Sequence, residues 1–310
     1  MKKLAIIVPA YNEEESIDKA TKCLKDILNK LISAGEISEE SFICFVDDGS
    51  KDNTVNEILK VINNDKNVQL IKLSRNFGQQ NAIIAGFFNT DADAYISIDV
   101  DLQEDENAII EMVEKFNNGA DIVYGVRIDR TSDSFFKRVS AELFYKFMDF
   151  LNINLVYNHS EYRLMSRRAI EEFKKFQEKN IFLKALIPLV GFKQEKVFYK
   201  RKARFAGETK YSPQKLFALA WEGITSFSIK PLQLAIWMSV FAFCISFLFF
   251  GYATFSFFAD GDIEKFEIIL GTIFFLSGVQ LLSIGILGEY IGKIYKETKN
   301  RPNYIIEKQI

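Results

Sequence analysis

The chain has 310 residues, a formal net charge of −2 and 48% hydrophobic residues. That length fits one large or two ordinary domains, and the near-neutral charge gives no reason to expect a nucleic-acid partner. Cys23, Cys44 and Cys244 show no metal or disulfide spacing, and a single histidine, His159, excludes histidine-based metal clusters and argues against Ser-His-Asp chemistry. Residues 4–9 (Leu-Ala-Ile-Ile-Val-Pro) predict a first strand, too short and without a cleavage site for a secretory signal. Residues 13–33 predict a helix, with Ile17, Ala20, Leu24, Ile27 and Leu31 at helical spacing. Residues 42–46 predict strand two, ending in Asp47-Asp48-Gly49-Ser50, and Asp52 is a candidate N-cap for a helix to about Ile62.

Strand three is predicted at 68–73, a helix at 78–88 and strand four at 94–98. The acidic pair Asp99 and Asp101 follows, then a helix from about Glu104 to Phe116 and a strand at 122–125. Alternation of strand and helix predicts a mostly parallel sheet with helices on both faces. After Arg127 the pattern changes to two amphipathic helices, 134–151 and 213–227. Such helices either pack on a core or lie in a membrane interface; the second leads straight into an apolar run.

Residues 231–259 and 268–288 contain no Asp, Glu, Lys or Arg, and both exceed the ~20 residues that cross a bilayer core. The connecting loop 260–267 is acidic, whereas Lys200, Arg201, Lys202 and Arg204 precede the hairpin and Lys293, Lys296, Lys299 and Arg301 follow it. The positive-inside rule then places both termini in the cytoplasm.

Four polar segments follow the four strands in turn. They are Pro9-Ala10-Tyr11-Asn12-Glu13, Asp47-Asp48-Gly49-Ser50, Ser74-Arg75-Asn76-Phe77-Gly78 and Asp99-x-Asp101-x-Gln103. Each alone reads as an ordinary turn. Four in succession at strand carboxyl ends mark a nucleotide cleft. Tyr11 can pack on a base, Glu13 and Asp48 can accept hydrogen bonds from base or ribose, and Asp99 and Asp101 suit a hard cation, Mg²⁺ or Mn²⁺, on a diphosphate.

The chain resembles the family 2 glycosyltransferases of the polyprenyl-phosphate type, which include dolichol-phosphate mannose synthase and bacterial undecaprenyl-phosphate glucosyl- and N-acetylglucosaminyltransferases. The resemblance is carried by VPAYNEEE (8–15), VDDGSKDNT (46–54), LSRNFGQQNAIIAG (73–86), DVDLQ (99–103), EYRLMSRR (161–168), RFAGETKY (204–211), SFSIKPLQ (226–233) and GEYIGKIYKETKNRPNY (288–304). It implies an α/β fold of the GT-A (Rossmann-like) nucleotide-diphospho-sugar type plus a C-terminal two-helix transmembrane hairpin. It also implies an inverting mechanism, a UDP-sugar donor and an undecaprenyl phosphate acceptor. Asp99, Asp101, Arg204 and Lys210 are its expected catalytic residues, with Asp99 and Asp101 as metal ligands. Pro9, Tyr11, Glu13, Asp48, Gln103, Arg127, Glu161 and Arg163 are its expected donor-binding residues.

Two departures matter. Many members carry Asp-Pro-Pro-Glu after the acidic motif, where this chain has Glu104-Asp105-Glu106-Asn107. Glucosyl and mannosyl members often carry Asp-x-x-Asp-Phe-Arg, where this chain has Asn158-His159-Ser160-Glu161-Tyr162-Arg163, resembling the N-acetylglucosaminyl variant. That loop favours N-acetylglucosamine over glucose as the expected sugar, and His159 is either a sugar contact or a structural loop residue. The expected organisation is a cytoplasmic transferase domain (1–210), a juxtamembrane helix (211–230), two spans (231–292) and a cytoplasmic tail (293–310), in the inner membrane. A flippase partner and a homo-oligomer are further expectations. Two other readings remain. A processive polysaccharide synthase lacks support, since no Gln-x-x-Arg-Trp motif occurs and two spans are too few for a channel. A non-catalytic scaffold, held in membrane lipid and keeping the fold for nucleotide-sugar binding alone, would not need the acidic pair, Arg204 and Lys210.

Overall fold

The computed structural model describes residues 1–128, 156–176, 178–179, 181–200, 230–260 and 266–310. The strands are β1 (Leu4–Ala10), β2 (Phe42–Asp47), β3 (Val68–Leu73), β4 (Ala94–Ser97), β5 (Ile122–Arg127), β6 (His159–Ser166), β7 (Gln194–Tyr199) and β8 (Ile306–Gln309). The helices are α1 (Ile17–Ser33), α2 (Thr54–Asn64), α3 (Gln79–Asn89), α4 (Ala108–Asn117), α5 (Arg167–Phe173), α6 (Leu183–Leu189), α7 (Lys230–Asp260) and α8 (Phe266–Thr298).

Among the described residues the strands form one sheet in the order β7-β5-β6-β4-β1-β2-β3-β8. Every position of β1 and β2 is buried, because central parallel strands are covered on both faces and so read as continuous apolar runs. α1 turns Ile17, Leu24, Ile27 and Leu31 into this core, each at most 2% exposed. Burying such side chains stabilises the fold by about 1.5–3 kcal/mol each before chain entropy is counted. α3 lies so close to the sheet that a Cβ on Gly86 would stand 2.2 Å from Ile7 Cγ2.

The parallel core matches the expectation, and two antiparallel strands modify it. β6 inserts between β4 and β5, pairing Ser97 with Arg163 and Tyr124 with Arg163. Its first residues therefore lie beside the carboxyl end of β4. β8 pairs with β3 at the opposite edge. The segment after the last long helix thus returns to the sheet, a strand that the sequence reading does not include.

All four predicted helices of the sheet domain start later than predicted, α3 by one residue at Gln79 with Gly78 as its cap, and the other three for local reasons. α1 begins at Ile17, not 13, because Asn12 adopts φ +54° and the Glu13 carbonyl accepts the Ser16 N–H at 2.9 Å in a turn. α2 begins at Thr54 after Asn53; Asp52 Oδ1 still accepts from Thr54 N at 3.0 Å and Thr54 Oγ1 at 2.6 Å, one position before the cap. α4 begins at Ala108, after a turn in which Asp105 Oδ1 accepts from Asn107 N at 3.2 Å and the Asp105 carbonyl from Ala108 N at 3.0 Å, while Glu104 lies with Asp99 and Asp101.

The described residues from Lys230 to Asn300 belong to a second compact unit, in which α7 and α8 pack against each other. Phe275–Thr298 is long and apolar enough to cross a membrane, and Lys230–Ile245 is a shorter apolar helical stretch. Phe243 and Leu281 are 72% and 69% exposed, as lipid-facing side chains would be. The predicted helices 134–151 and 213–227, and most of loop 260–267, lie outside the described residues.

Candidate active site

β4 ends at Ser97, and the next residues make one tight turn. The Leu102 N–H reaches the Asp99 carbonyl at 3.2 Å, and the Gln103 N–H reaches Asp101 Oδ1 at 3.2 Å. Leu102 takes φ +48°, a left-handed conformation that a bulky L-residue adopts at a cost of order 1–3 kcal/mol. Its surroundings hold it there: Val100, Gln103 and Glu104 are buried on either side. The turn folds Glu104 back toward the aspartates. Asp99, Asp101 and Glu104 each present a carboxylate oxygen, and these oxygens all lie within 4.8 Å of one another.

Crowding three carboxylates is unfavourable without a cation. The Asp99 carboxyl is pushed well above the usual carboxylate range, first by burial and then by Glu104, Asp101 and Glu161, with Arg127 opposing. An all-oxygen, multiply charged donor set of this size fits a hard divalent ion such as Mg²⁺ or Mn²⁺. Arg127 Nη2 stands 3.5 Å from Glu104 Oε1, and its Nε bonds the Tyr199 hydroxyl at 3.4 Å. Gln79 Nε2 donates to Asp99 Oδ1 at 2.6 Å, so the start of α3 orients the first aspartate.

The antiparallel β6 delivers Glu161 to the same place. The Glu161 carboxylate pairs with Arg163, and its carbonyl accepts from Ser97 Oγ. Arg163 is fully buried and also donates to Ser160 O at 3.1 Å and Leu183 O at 3.4 Å. These bonds tie Glu161 to the start of α6. Lys184, next in that helix, is the nearby cation that the sequence reading missed. Burial lowers its ammonium pKa, while Glu161 and Asp99 pull it back up. His159 is buried against the edge of Tyr124 and bonded through Nδ1 to the Val156 carbonyl. Its Nε2 is buried without a hydrogen-bond partner among the described residues.

The other three strand ends are laced together. Asp48 accepts from Phe77 N at 2.7 Å and Gly78 N at 2.9 Å, fixing the loop after β3. Gly49, at φ +72°, lets that loop pass: a Cβ there would lie 2.4 Å from the Arg75 carbonyl carbon. Asn12 N bonds Ser50 Oγ at 3.0 Å, and Glu13 N bonds Thr54 Oγ1 at 2.8 Å. Pro9 fits inside β1 because strand alternation turns its missing N–H to the β4 side, where pairing has already ended at Ile7 and Ser97. A cleft of about 450 Å³ opens beside these loops, lined by Tyr11, Gly49, Lys72, Arg75 and Glu307 among others.

The expected residues Pro9, Tyr11, Asp48, Asp99, Asp101, Gln103, Arg127 and Glu161 therefore share the carboxyl edge of the sheet. Glu13 is at that edge too, with its carboxylate bonded to Ser16 Oγ at 3.1 Å. Arg204 and Lys210 lie outside the described residues. Glu104, Gln79 and Lys184 are additions. In the sequence Glu104 stands out only as a departure from Asp-Pro-Pro-Glu, which does not place it with the aspartates.

A doubly wound sheet with an acidic cluster at the end of its fourth strand and a cleft at the ends of its second and third defines, with the family match below, a nucleotide-diphospho-sugar transferase of the GT-A type. The chain belongs to glycosyl transferase family 2, whose domain matches residues 5–174, and residues 230–294 match the GtrB C-terminal hairpin. It is 42% identical over 318 residues to the uncharacterized glycosyltransferase YkoT of Bacillus subtilis (strain 168), covering 98% of this chain and 91% of that one. It is 40% identical over 308 residues to the SfII prophage-derived bactoprenol glucosyl transferase of Shigella flexneri, covering 99% and 98%. The prophage bactoprenol glucosyl transferase homolog of Escherichia coli (strain K12) is 38% identical over 308 residues, covering 99% of each. The resemblance to polyprenyl-phosphate glycosyltransferases is thereby borne out.

Proposed function

We propose that this enzyme transfers glucose from a UDP-sugar to undecaprenyl phosphate at the cytoplasmic face of the membrane, for modification of a cell-envelope glycan. The observation that carries the reading is the Asp99-Asp101-Glu104 cluster, in a chain whose C-terminal part matches a membrane hairpin family. The names of the bactoprenol glucosyl transferase relatives support glucose and the lipid acceptor. N-acetylglucosamine is the second reading, favoured by Glu161 and Tyr162 where glucosyl members often have Asp and Phe.

The chemistry follows from the acceptor. A phosphate monoester has a second pKa of about 6, so at neutral pH its oxygen attacks without a general base. The new bond joins that oxygen to the anomeric carbon, the bond from that carbon to the UDP oxygen breaks, and the configuration inverts. Asp99, Asp101 and Glu104 would hold the divalent ion, which, when bound, offsets charge on the departing diphosphate. Arg127 and Lys184 bring positive charge to a site that must accommodate two anions. Glu161, held by Arg163, accepts hydrogen bonds from sugar hydroxyls. Arg204 and Lys210 are assigned to donor or acceptor phosphate from their sequence positions.

The test uses the full-length protein in nanodiscs with undecaprenyl phosphate, Mn²⁺ and radiolabelled UDP-glucose or UDP-N-acetylglucosamine. Label should pass into butanol-extractable lipid, one sugar per acceptor, with UDP-glucose the better donor. Preference for UDP-N-acetylglucosamine selects the second reading. Polymeric product, or no transfer from any UDP-sugar, overturns the proposal.

A further inference from the structure

The C-terminal strand carries an irregularity at one place. Ile306 of β8 pairs with Leu73, and Lys308 pairs with Lys72. Two residues separated by Glu307 thus face two consecutive residues of β3, which makes Glu307 the extra residue of a β-bulge. Bulges twist a strand locally and re-aim a side chain. The backbone around this one is anchored: Ser74 N bonds Ile305 O at 2.9 Å, and Leu70 and Ile310 exchange bonds of 2.8 and 2.9 Å. Glu307 Oε1 meets Lys72 Nζ at 2.8 Å, and both residues line the cleft of about 450 Å³ at the ends of β1 to β3.

The bland account is a surface ion pair. The Lys72 and Glu307 side chains are 29% and 49% exposed, and pairs so open to water contribute little stability. Stability therefore does not explain a bulge that points Glu307 into a cleft. The cleft's volume lies in the range of small-molecule sites. Tyr11 offers a half-open aromatic wall, and Lys72 and Glu307 offer a donor and an acceptor across it. In the sheet order β4-β1-β2-β3-β8 the acidic cluster ends β4, so a diphosphate held there and crossing β1 leaves its nucleoside over β2 and β3.

We propose that the C-terminal strand completes the donor site: Glu307, aimed by the bulge and paired with Lys72, contacts the nucleoside end of the sugar donor and sets its base preference. This rests on the UDP-sugar reading above. Uracil presents an N–H between two carbonyls, which matches a carboxylate acceptor beside an ammonium donor. Cytosine presents a bare ring nitrogen at that position and would face Glu307 with a lone pair.

The experiment measures UDP and CDP binding calorimetrically, and steady-state transfer, for the full-length protein in detergent with Mn²⁺. Wild type should prefer UDP. Glu307→Ala should weaken UDP roughly tenfold, the loss of one charge-assisted hydrogen bond. CDP binding should change much less. The KM for the sugar donor should rise with kcat and the KM for the lipid acceptor unchanged. Glu307→Gln, which keeps the shape and an acceptor oxygen, should recover part of the affinity and carries the test if the alanine variant does not fold. Lys308→Ala, at an exposed position outside the cleft lining, should match wild type. Unchanged UDP affinity and an unchanged UDP-to-CDP ratio in the Glu307 variants overturn the proposal. If wild type binds GDP instead, the UDP reading falls and Glu307→Ala is judged by its effect on GDP. If wild type binds no nucleoside diphosphate, the donor reading and the role of Glu307 fall together.

Discussion

Single side chains set the chemistry, and two of them make opposite kinds of prediction. Asp101 sits with Asp99 and Glu104 in a three-carboxylate cluster that could hold a divalent cation. Asp101→Asn keeps the shape and removes a ligand charge. Transfer should fall by roughly 100-fold or more, and Mn²⁺-dependent UDP binding should be lost, with the melting midpoint little changed. Wild-type turnover in excess chelator would sink the metal assignment. His159 concerns stability instead. Burial first, then Arg163 and Lys184, lower its pKa from 6.5 to about 3. Between those values the unfolded chain binds a proton that the folded chain refuses, so stability falls as pH drops below 6.5. The slope approaches about 1.4 kcal/mol per pH unit. Melting midpoints at pH 7.5 and 5.5 should therefore differ more for wild type than for His159→Gln. Equal differences would show that His159 titrates normally.

At the scale of elements, close approach of helix to sheet is the main constraint. Gly86 lets α3 sit on β1, with Ile7 Cγ2 2.2 Å from where a Cβ would be and Val46 Cγ2 at 3.1 Å. Gly86→Ala gains up to about 1 kcal/mol of helix propensity. It must also displace Ile7, which has no exposed surface and no room to move. Overpacking of this kind costs about 1–3 kcal/mol. The expected outcome is a net loss of stability, read as a lower midpoint in denaturant. It should come with weaker UDP binding, because Gln79 at the start of the same helix orients Asp99. A gain in stability would mean that α3 lifts from the sheet without strain.

The whole molecule joins a transferase domain to an apolar hairpin, and topology is the property to test at this scale. Lysine and arginine flank the hairpin on its outer sides and acidic residues fill loop 260–267, which predicts both termini on the cytoplasmic side. A cysteine replacing Asp262, in a background without Cys23, Cys44 and Cys244, should react with an impermeant maleimide in intact cells. One replacing Asn300 should react only after the membrane is broken. The reverse pattern would invert the arrangement. Loss of the hairpin should affect use of the lipid acceptor more than binding of UDP by the sheet's edge.

Periodicity alone was enough for α1, for the buried runs of β1 to β4 and for two long apolar segments, because burial on a periodic surface writes itself into residue order. Asp99 and Asp101 were legible for the same reason: a strand end is a local feature, and ligands gather at the carboxyl edge of a parallel sheet. Glu104 was not, because a helix from 104 satisfied the local pattern equally well and only the left-handed turn at Leu102 brings that carboxylate back. Glu161 reaches the site through β6, whose antiparallel insertion beside β4 joins residues more than 60 positions apart, and Lys184 comes from α6, whose first residue Leu183 accepts a bond from Arg163. Glu307 lies farther still, on a strand of four residues at the end of the chain. Short edge strands carry little periodicity, and their partner is chosen by the open edge of β3, so only the folded sheet could place that residue in the lining of the cleft at the ends of β2 and β3.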